Sequence, residues 1–78
     1  MELSTSGKAQ RAHELVRLGA RVRELRQERG LTQKQVADAA GLHRVNLNKF
    51  ESGRLDLGVS RIRRLAEALD VEPGCLFK

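Results

Sequence analysis

The chain has 78 residues, enough for one compact domain but too few for two, and helices bury a core most readily at this length. Fifteen lysines and arginines against ten acidic residues give a formal net charge of +5, which favours a polyanionic partner and nucleic acid above all. The sequence has no run of about 18 apolar residues and no apolar segment after its polar start, so we expect a cytoplasmic protein without a membrane span.

Aromatic and metal-binding side chains are scarce. Aromatic residues make up 3% of the chain, with neither tryptophan nor tyrosine, so a platform for stacking unpaired bases is excluded and duplex DNA is favoured over single strands. The single cysteine, Cys75, has no partner for an internal disulfide, and its separation from His13 and His43 does not match metal-ligand spacing. We therefore expect no metal, no cofactor and no catalytic nucleophile-base pair.

The first predicted helix is marked by apolar residues at helical spacing, namely Leu15, Leu18, Val22 and Leu25. We expect it to begin between residues 8 and 18 and to end at Gly30, while Gly19 should weaken its middle. Residues 1–14 are accordingly interpreted as an N-terminal extension, partly disordered or extending this helix, and residues 15–78 as the folded domain.

Two short helices follow. Thr32 and Gln35 form a capping-box pattern that predicts the start of the second helix, and Gly41 predicts a sharp stop in a left-handed conformation. Ala37 is small where the two helices would cross. The third helix follows almost at once and points Leu47 and Phe50, three residues apart, towards the core.

The last part of the chain is also predicted to be helical. A stripe of apolar residues predicts a fourth helix that ends near Asp70, and the stripe consists of Val59, Ile62, Leu65, Ala66 and Leu69. Pro73 and Gly74 then mark a turn before a short last helix that carries Leu76 and Phe77. No period-two alternation is present, so the expected fold class is all-α.

The second helix, its glycine turn and the third helix together resemble a helix-turn-helix. From residue 18 to residue 76 the chain resembles, without gaps, the Cro and cI repressor-like family. The matching motifs are the Leu-Thr-Gln that starts the second helix, the Glu-x-Gly that ends the third, and the Leu-Ala-x-x-Leu-x-Val of the fourth. The resemblance implies a compact five-helix bundle of the lambda-repressor-like DNA-binding domain type, whose members bind operator DNA as dimers.

Carried over position by position, the resemblance implies base contacts from the third helix and the residue before it, at Arg44, Val45, Asn48, Lys49 and His43. Arg44 comes first because an arginine can donate two parallel hydrogen bonds to guanine O6 and N7. The alternative for each of these residues is an ordinary solvated side chain.

Phosphate contacts and an ion pair complete the implied site. Gln33 matches a residue that contacts phosphate and braces the first residue of the reading helix, here Arg44. Further phosphate contacts are implied at Ser52, Arg54, Arg21 and Arg23. Arg26 and Glu51 occupy positions that this family commonly joins by a partly buried ion pair.

The loop before the fourth helix departs from the family pattern, because Leu57 and Gly58 stand where a proline and a serine or threonine cap are common. We interpret Leu55 and Leu57, with Phe77, as a homodimer contact; burial within the monomer is the alternative.

These features predict a sequence-specific double-stranded DNA-binding transcriptional regulator, a repressor that acts as a homodimer on an inverted repeat. A phage-type repressor, a restriction-modification controller and an antitoxin all remain compatible. The alternative from another class is an antitoxin or other protein-interaction module, whose partner is a protein such as a toxin. An enzyme is not expected.

Overall fold

A computed structural model describes the backbone of residues 3–77 and the side chains of residues 11–77. Over that range the chain forms four α-helices, α1 (Leu3–Glu28), α2 (Gln33–Ala40), α3 (Arg44–Glu51) and α4 (Val59–Ala68), and then a 3₁₀ helix at Pro73–Phe77. Residues 3–77 contain no strand, which confirms the all-α prediction.

The predicted count of five helices is not confirmed, because the fifth element is a short 3₁₀ helix. Five residues make little more than one turn, which is the usual length of a 3₁₀ helix, and Gly74 is a poor helix former, so the segment does not build an α-helix.

Helix α1 begins earlier than the range predicted for its start. It runs for 26 residues from Leu3, and an α-helix of that length is about 39 Å long. This agrees with the longest dimension of the molecule, 44 Å. Residues 8–12, Lys-Ala-Gln-Arg-Ala, are good helix formers, and residues 3–14 contain no proline to stop the helix, although Ser, Thr and Gly at residues 4–7 are weak helix formers. The interpretation of residues 1–14 as a separate extension stays a prediction, and residues 1 and 2 lie outside the described range.

The core is assembled from the inner faces of the four helices, the loop before α4 and the 3₁₀ helix. Its buried apolar residues are Leu18, Val22, Leu25, Val36, Ala37, Ala40, Leu47, Phe50, Leu57, Ile62, Leu65, Ala66, Leu69 and Leu76. Leu47 and Phe50 are completely buried. Because these two side chains anchor one face of α3, its opposite face is turned outward.

Both ends of α2 form as predicted. Thr32 Oγ1 accepts a hydrogen bond from the Gln35 backbone N–H at 3.1 Å, and the Thr32 N–H donates to Gln35 Oε1 at 2.9 Å. Gly41 is left-handed, with φ 71°, and the Leu42 N–H donates to the Ala37 carbonyl at 2.8 Å. A side chain at position 41 would add about 1–2 kcal/mol of backbone strain. This tight stop allows α3 to start across α2 after three residues.

Gly19 has a role that the sequence did not predict. A Cβ atom added at this position would lie 2.1 Å from the Phe50 carbonyl oxygen, far inside van der Waals contact. Helix α1 therefore passes directly against the backbone at the end of α3. The prediction that Gly19 weakens α1 considered helix propensity alone, and this interhelical contact is an additional requirement for glycine at the position.

Two kinds of feature are absent from the described part of the chain. No helix within residues 3–77 has the length and apolar content needed to cross a bilayer. The described residues also contain no group of three or more histidine, cysteine, aspartate or glutamate side chains placed to hold a metal ion.

Candidate nucleic-acid interface

The outer face of α3 is the main candidate surface. The five residues to which the resemblance assigned base contacts are all exposed: His43, Arg44, Val45, Asn48 and Lys49. Their common orientation follows from the helical period, because Leu47 and Phe50 fix the inner side of the same two turns. The structure therefore places an apolar, an amide and two cationic side chains on one solvent-facing surface of one short helix.

The beginning of α3 is also open to solvent. His43 occupies the N-cap position in an extended conformation and makes no side-chain capping hydrogen bond. The first backbone N–H groups of a helix have no intrahelical acceptor, and they carry the positive end of the helix dipole. An anion approaching α3 beside Arg44 would therefore meet a favourable potential.

A buried ion pair fixes the other end of α3. Arg26 of α1 donates from Nε to Glu51 Oε2 at 2.7 Å and from Nη2 to Glu51 Oε1 at 2.9 Å. It also donates to the Leu31 carbonyl at 2.9 Å. The side chains are only 11% and 3% exposed, and hydrogen bonding to Glu51 raises the pKa of Arg26 above its ordinary value. The last turn of α3 is thus tied to the end of α1.

Gln33 extends this contact towards the surface. Its Nε2 donates to Glu51 Oε1 at 3.0 Å, and its Oε1 accepts from Asn48 Nδ2 at 3.4 Å. The resemblance implied a brace between Gln33 and Arg44 instead. Within the described residues Gln33 makes no hydrogen bond with Arg44, because its side chain is held between Glu51 and the second turn of α3.

The residues assigned to phosphate contacts separate into two groups. Arg23 belongs to the first group and lines a depression of about 150 Å³. The other residues that line this depression are Arg26, Gln33, Asn48, Glu51 and Ser52. Arg54 is exposed just beyond α3. Arg21 lies elsewhere on α1, where it donates to the carboxylate of Glu24 and, at 3.4 Å, to the Cys75 carbonyl. Arg21 is therefore directed to the 3₁₀ helix and does not join Arg23.

Ser52 is exposed, but its donors are already used within the protein. Its hydroxyl donates to the Asn48 carbonyl at 2.7 Å, and its backbone N–H donates to the same oxygen at 3.1 Å. The backbone N–H groups of Gly53 and Arg54 likewise donate to carbonyls of α3, both at 2.9 Å. The guanidinium groups of Arg23 and Arg54 are consequently better placed than this backbone to meet a phosphate.

The residues assigned to a dimer contact differ in exposure. Leu57 is 6% exposed and belongs to the monomer core, which is the alternative that the sequence left open. Leu55 is half-buried against that core, whereas Phe77 is 65% exposed. Val59, which the sequence placed in the inner stripe of α4, is 72% exposed because it starts the helix at the edge of that stripe.

Phe77 and Val59 lie at one groove. It has a volume of about 240 Å³, and Leu15, Leu18 and Ile62 contribute further apolar side chains to its lining. Arg11, Glu14 and Asp56 supply charges of both signs beside it. The groove is thus an apolar surface with a mixed-charge border, formed by α1, the start of α4 and the 3₁₀ helix.

Comparison with known proteins agrees with this architecture. A family described as "Helix-turn-helix domain" matches residues 17–77. Two relatives in Sinorhizobium fredii, the HTH-type transcriptional regulators y4aM and y4wC, are 28% and 30% identical over 61 residues. The match covers 78% of this chain and 43% of each relative, so the chain spans about two fifths of their length.

A solved structure matches over almost its whole length. It is the restriction-modification controller protein C.AhdI from Aeromonas hydrophila, which is 42% identical, with a TM-score of 0.81. The match covers 83% of this chain and 98% of that chain.

Proposed function

Because this chain belongs to the helix-turn-helix family of Cro- and cI-type transcription regulators, we propose that it binds a specific double-stranded DNA sequence and represses transcription there. The observation that carries the proposal is the outer face of α3, where Arg44, Val45, Asn48 and Lys49 share one exposed surface. Relatives of this kind are DNA-binding regulators and not enzymes.

The dimensions of α3 suit the major groove of DNA. An α-helix with its side chains is about 10–12 Å in diameter, and the major groove, about 12 Å wide, admits it. The eight residues of α3 make about two turns that can lie in the groove. Arg44 would donate to guanine O6 and N7, and the Val45 methyl groups suit a thymine methyl. Gln33, Arg23 and Arg54 would hold the phosphates on either side, which fixes the position of α3 without reading sequence.

We propose further that two copies act together on an inverted repeat. In a symmetric dimer the two reading helices reach successive major grooves, with half-sites about 34 Å apart. The groove beside Phe77 and Val59 supports this, because exposed apolar side chains with charges of both signs nearby can meet the same surface of a second copy. Leu55, which packs partly buried against the core, remains a proposed dimer contact, while Leu57 supports the loop from within.

Sedimentation equilibrium tests the dimer. Phe77→Ser should weaken self-association, whereas Val16→Ser, at an exposed valine outside the groove, should leave it unchanged. If Phe77→Ser associated as strongly as Val16→Ser and the wild type, the subunit contact would lie outside this groove.

Among the regulators compatible with the sequence, we favour a restriction-modification controller. This is the role stated for C.AhdI, which this chain matches over 98% of that protein's length. The longer Sinorhizobium proteins do not bear on this choice, since more than half of each lies outside the match. Because the proposed ligand is DNA, the proposed location is the cytoplasm.

Selection from a random duplex library, followed by gel shifts on the selected site, tests sequence-specific binding. Arg44→Ala should lose about 1–3 kcal/mol of discrimination, roughly 5- to 150-fold, at one base pair of each half-site. Arg61→Ala removes the same charge from an exposed site on α4 and should keep the wild-type preference. Equal affinity of the wild type for selected and random duplexes would contradict the proposal, as would an unchanged preference in Arg44→Ala.

A further inference from the structure

We infer, on the premise of the DNA-binding function proposed above, that Gln33 and Glu51 fix the orientation of the Asn48 amide so that α3 presents the Asn48 carbonyl oxygen to DNA. Three residues form this relay: Glu51 accepts from Gln33, and Gln33 accepts from Asn48. Gln33 and Glu51 are positioning residues, and Asn48 is the residue that meets the base. The chemistry recognised is an exocyclic amino group on a base edge.

The relay starts from the Glu51 carboxylate, which can accept hydrogen bonds but cannot donate them. Ionised Glu51 is only an acceptor, and Arg26 holds it in place through two hydrogen bonds while its side chain is 3% exposed. A glutamine that faces this carboxylate must offer its NH₂ group, because its carbonyl oxygen would face another acceptor. The Gln33 amide therefore faces Glu51 with its NH₂ group, as the 3.0 Å hydrogen bond from Gln33 Nε2 to Glu51 Oε1 shows.

The same reasoning fixes the next amide. With its NH₂ group on Glu51, Gln33 turns its Oε1 towards α3, where Asn48 Nδ2 lies 3.4 Å away. The opposite orientation of Asn48 would bring two carbonyl oxygens together without a hydrogen between them. Since the two branches of an amide diverge, this orientation turns Asn48 Oδ1 away from Gln33, and the Asn48 residue is exposed.

An outward carbonyl oxygen selects among bases. In the major groove, adenine N6 and cytosine N4 are donors, whereas guanine O6 and thymine O4 are acceptors. Where its carbonyl oxygen is the atom that faces the base, Asn48 should therefore favour adenine or cytosine, on the strand that it faces, over guanine or thymine. An asparagine free to rotate could offer either end of its amide, so the preference depends on the relay and not on residue type alone.

Site selection with a Gln33→Met variant tests the relay, and Gln27→Met, at an exposed glutamine on α1 outside the relay, is the matched control. We expect wild type and control to prefer adenine or cytosine about tenfold at one position of each half-site. In Gln33→Met this preference should fall below about twofold while the preferences at other positions remain. Loss of the phosphate contact proposed for Gln33 weakens binding to all sequences alike, so it lowers affinity without changing this preference.

An unchanged adenine-or-cytosine preference in Gln33→Met would overturn the relay while the proposed function stood. If the wild type selected no sequence, the proposed function would fail and base reading by Asn48 with it. A measurement without DNA then isolates the relay itself. In the free protein, Asn48→Ala should shift the side-chain amide resonances of Gln33, and unchanged resonances would overturn the relay.

Discussion

Replacing Glu51 by alanine should destabilise the domain more than any exposed substitution. The carboxylate accepts three hydrogen bonds, two from Arg26 and one from Gln33. Its removal leaves the Arg26 guanidinium with one carbonyl partner, Leu31, at a site where the arginine side chain is 11% exposed. The variant therefore leaves a largely buried positive charge without its counter-ion.

The size of the loss can be worked out from these contacts. Breaking a buried ion pair by removing one partner typically costs about 3–5 kcal/mol, since the remaining charge stays desolvated. A domain of 78 residues has a total free energy of unfolding of about 4–12 kcal/mol. Glu51→Ala should thus remove a large part of that total and lower Tm by about 12 °C or more.

Urea unfolding followed by circular dichroism at 222 nm measures the loss, and a double variant provides the control. Arg26→Met with Glu51→Leu removes both charges and keeps similar volumes, so it should be more stable than Glu51→Ala. A loss below about 1 kcal/mol in Glu51→Ala would refute the reasoning, because that is the range of an exposed ion pair. A double variant less stable than Glu51→Ala would refute it as well.

Three further outcomes follow from the backbone and the charged surface. Gly19→Ala should destabilise the domain by more than about 2 kcal/mol, since its methyl group would collide with the Phe50 carbonyl, whereas Gly74→Ala, with open space around it, should leave Tm within about 3 °C. Asp70→Gly should raise the free energy of unfolding by about 1 kcal/mol, because Asp70 has φ 58°, which strains a residue with a side chain, and carries a negative charge at the negative end of the α4 dipole. A lower urea midpoint for this variant would contradict the prediction. Arg54→Ala should weaken binding to all duplexes alike and reduce the slope of log affinity against log salt by about 1, and a changed base preference would contradict a phosphate role.

The candidate site was predictable to the extent that it depends on local periodicity. The spacing of Leu47 and Phe50 determines which face of α3 is exposed, and the positions of Arg44 and Lys49 follow from it. The partners of long side chains were not predictable in this way. Arg21 and Arg23 are two residues apart on α1, so a rotation of about 200° separates them, and only one lies beside Gln33.

The sequence by itself determined the all-α class and the ends of α2. Both depend on contacts within about five residues, as in the capping box of Thr32 and the left-handed stop at Gly41. A short-range pattern of this kind favours the same local structure in any fold that contains the segment, because its hydrogen bonds lie within the segment.

The tertiary structure alone decided the burial of Leu57, the need for glycine at position 19, and the bond between Gln33 and Asn48, which are 15 residues apart. Each depends on how closely two helices approach and at what rotation. Those quantities are set by the packing of the whole core, and the local sequence around any one residue does not contain them.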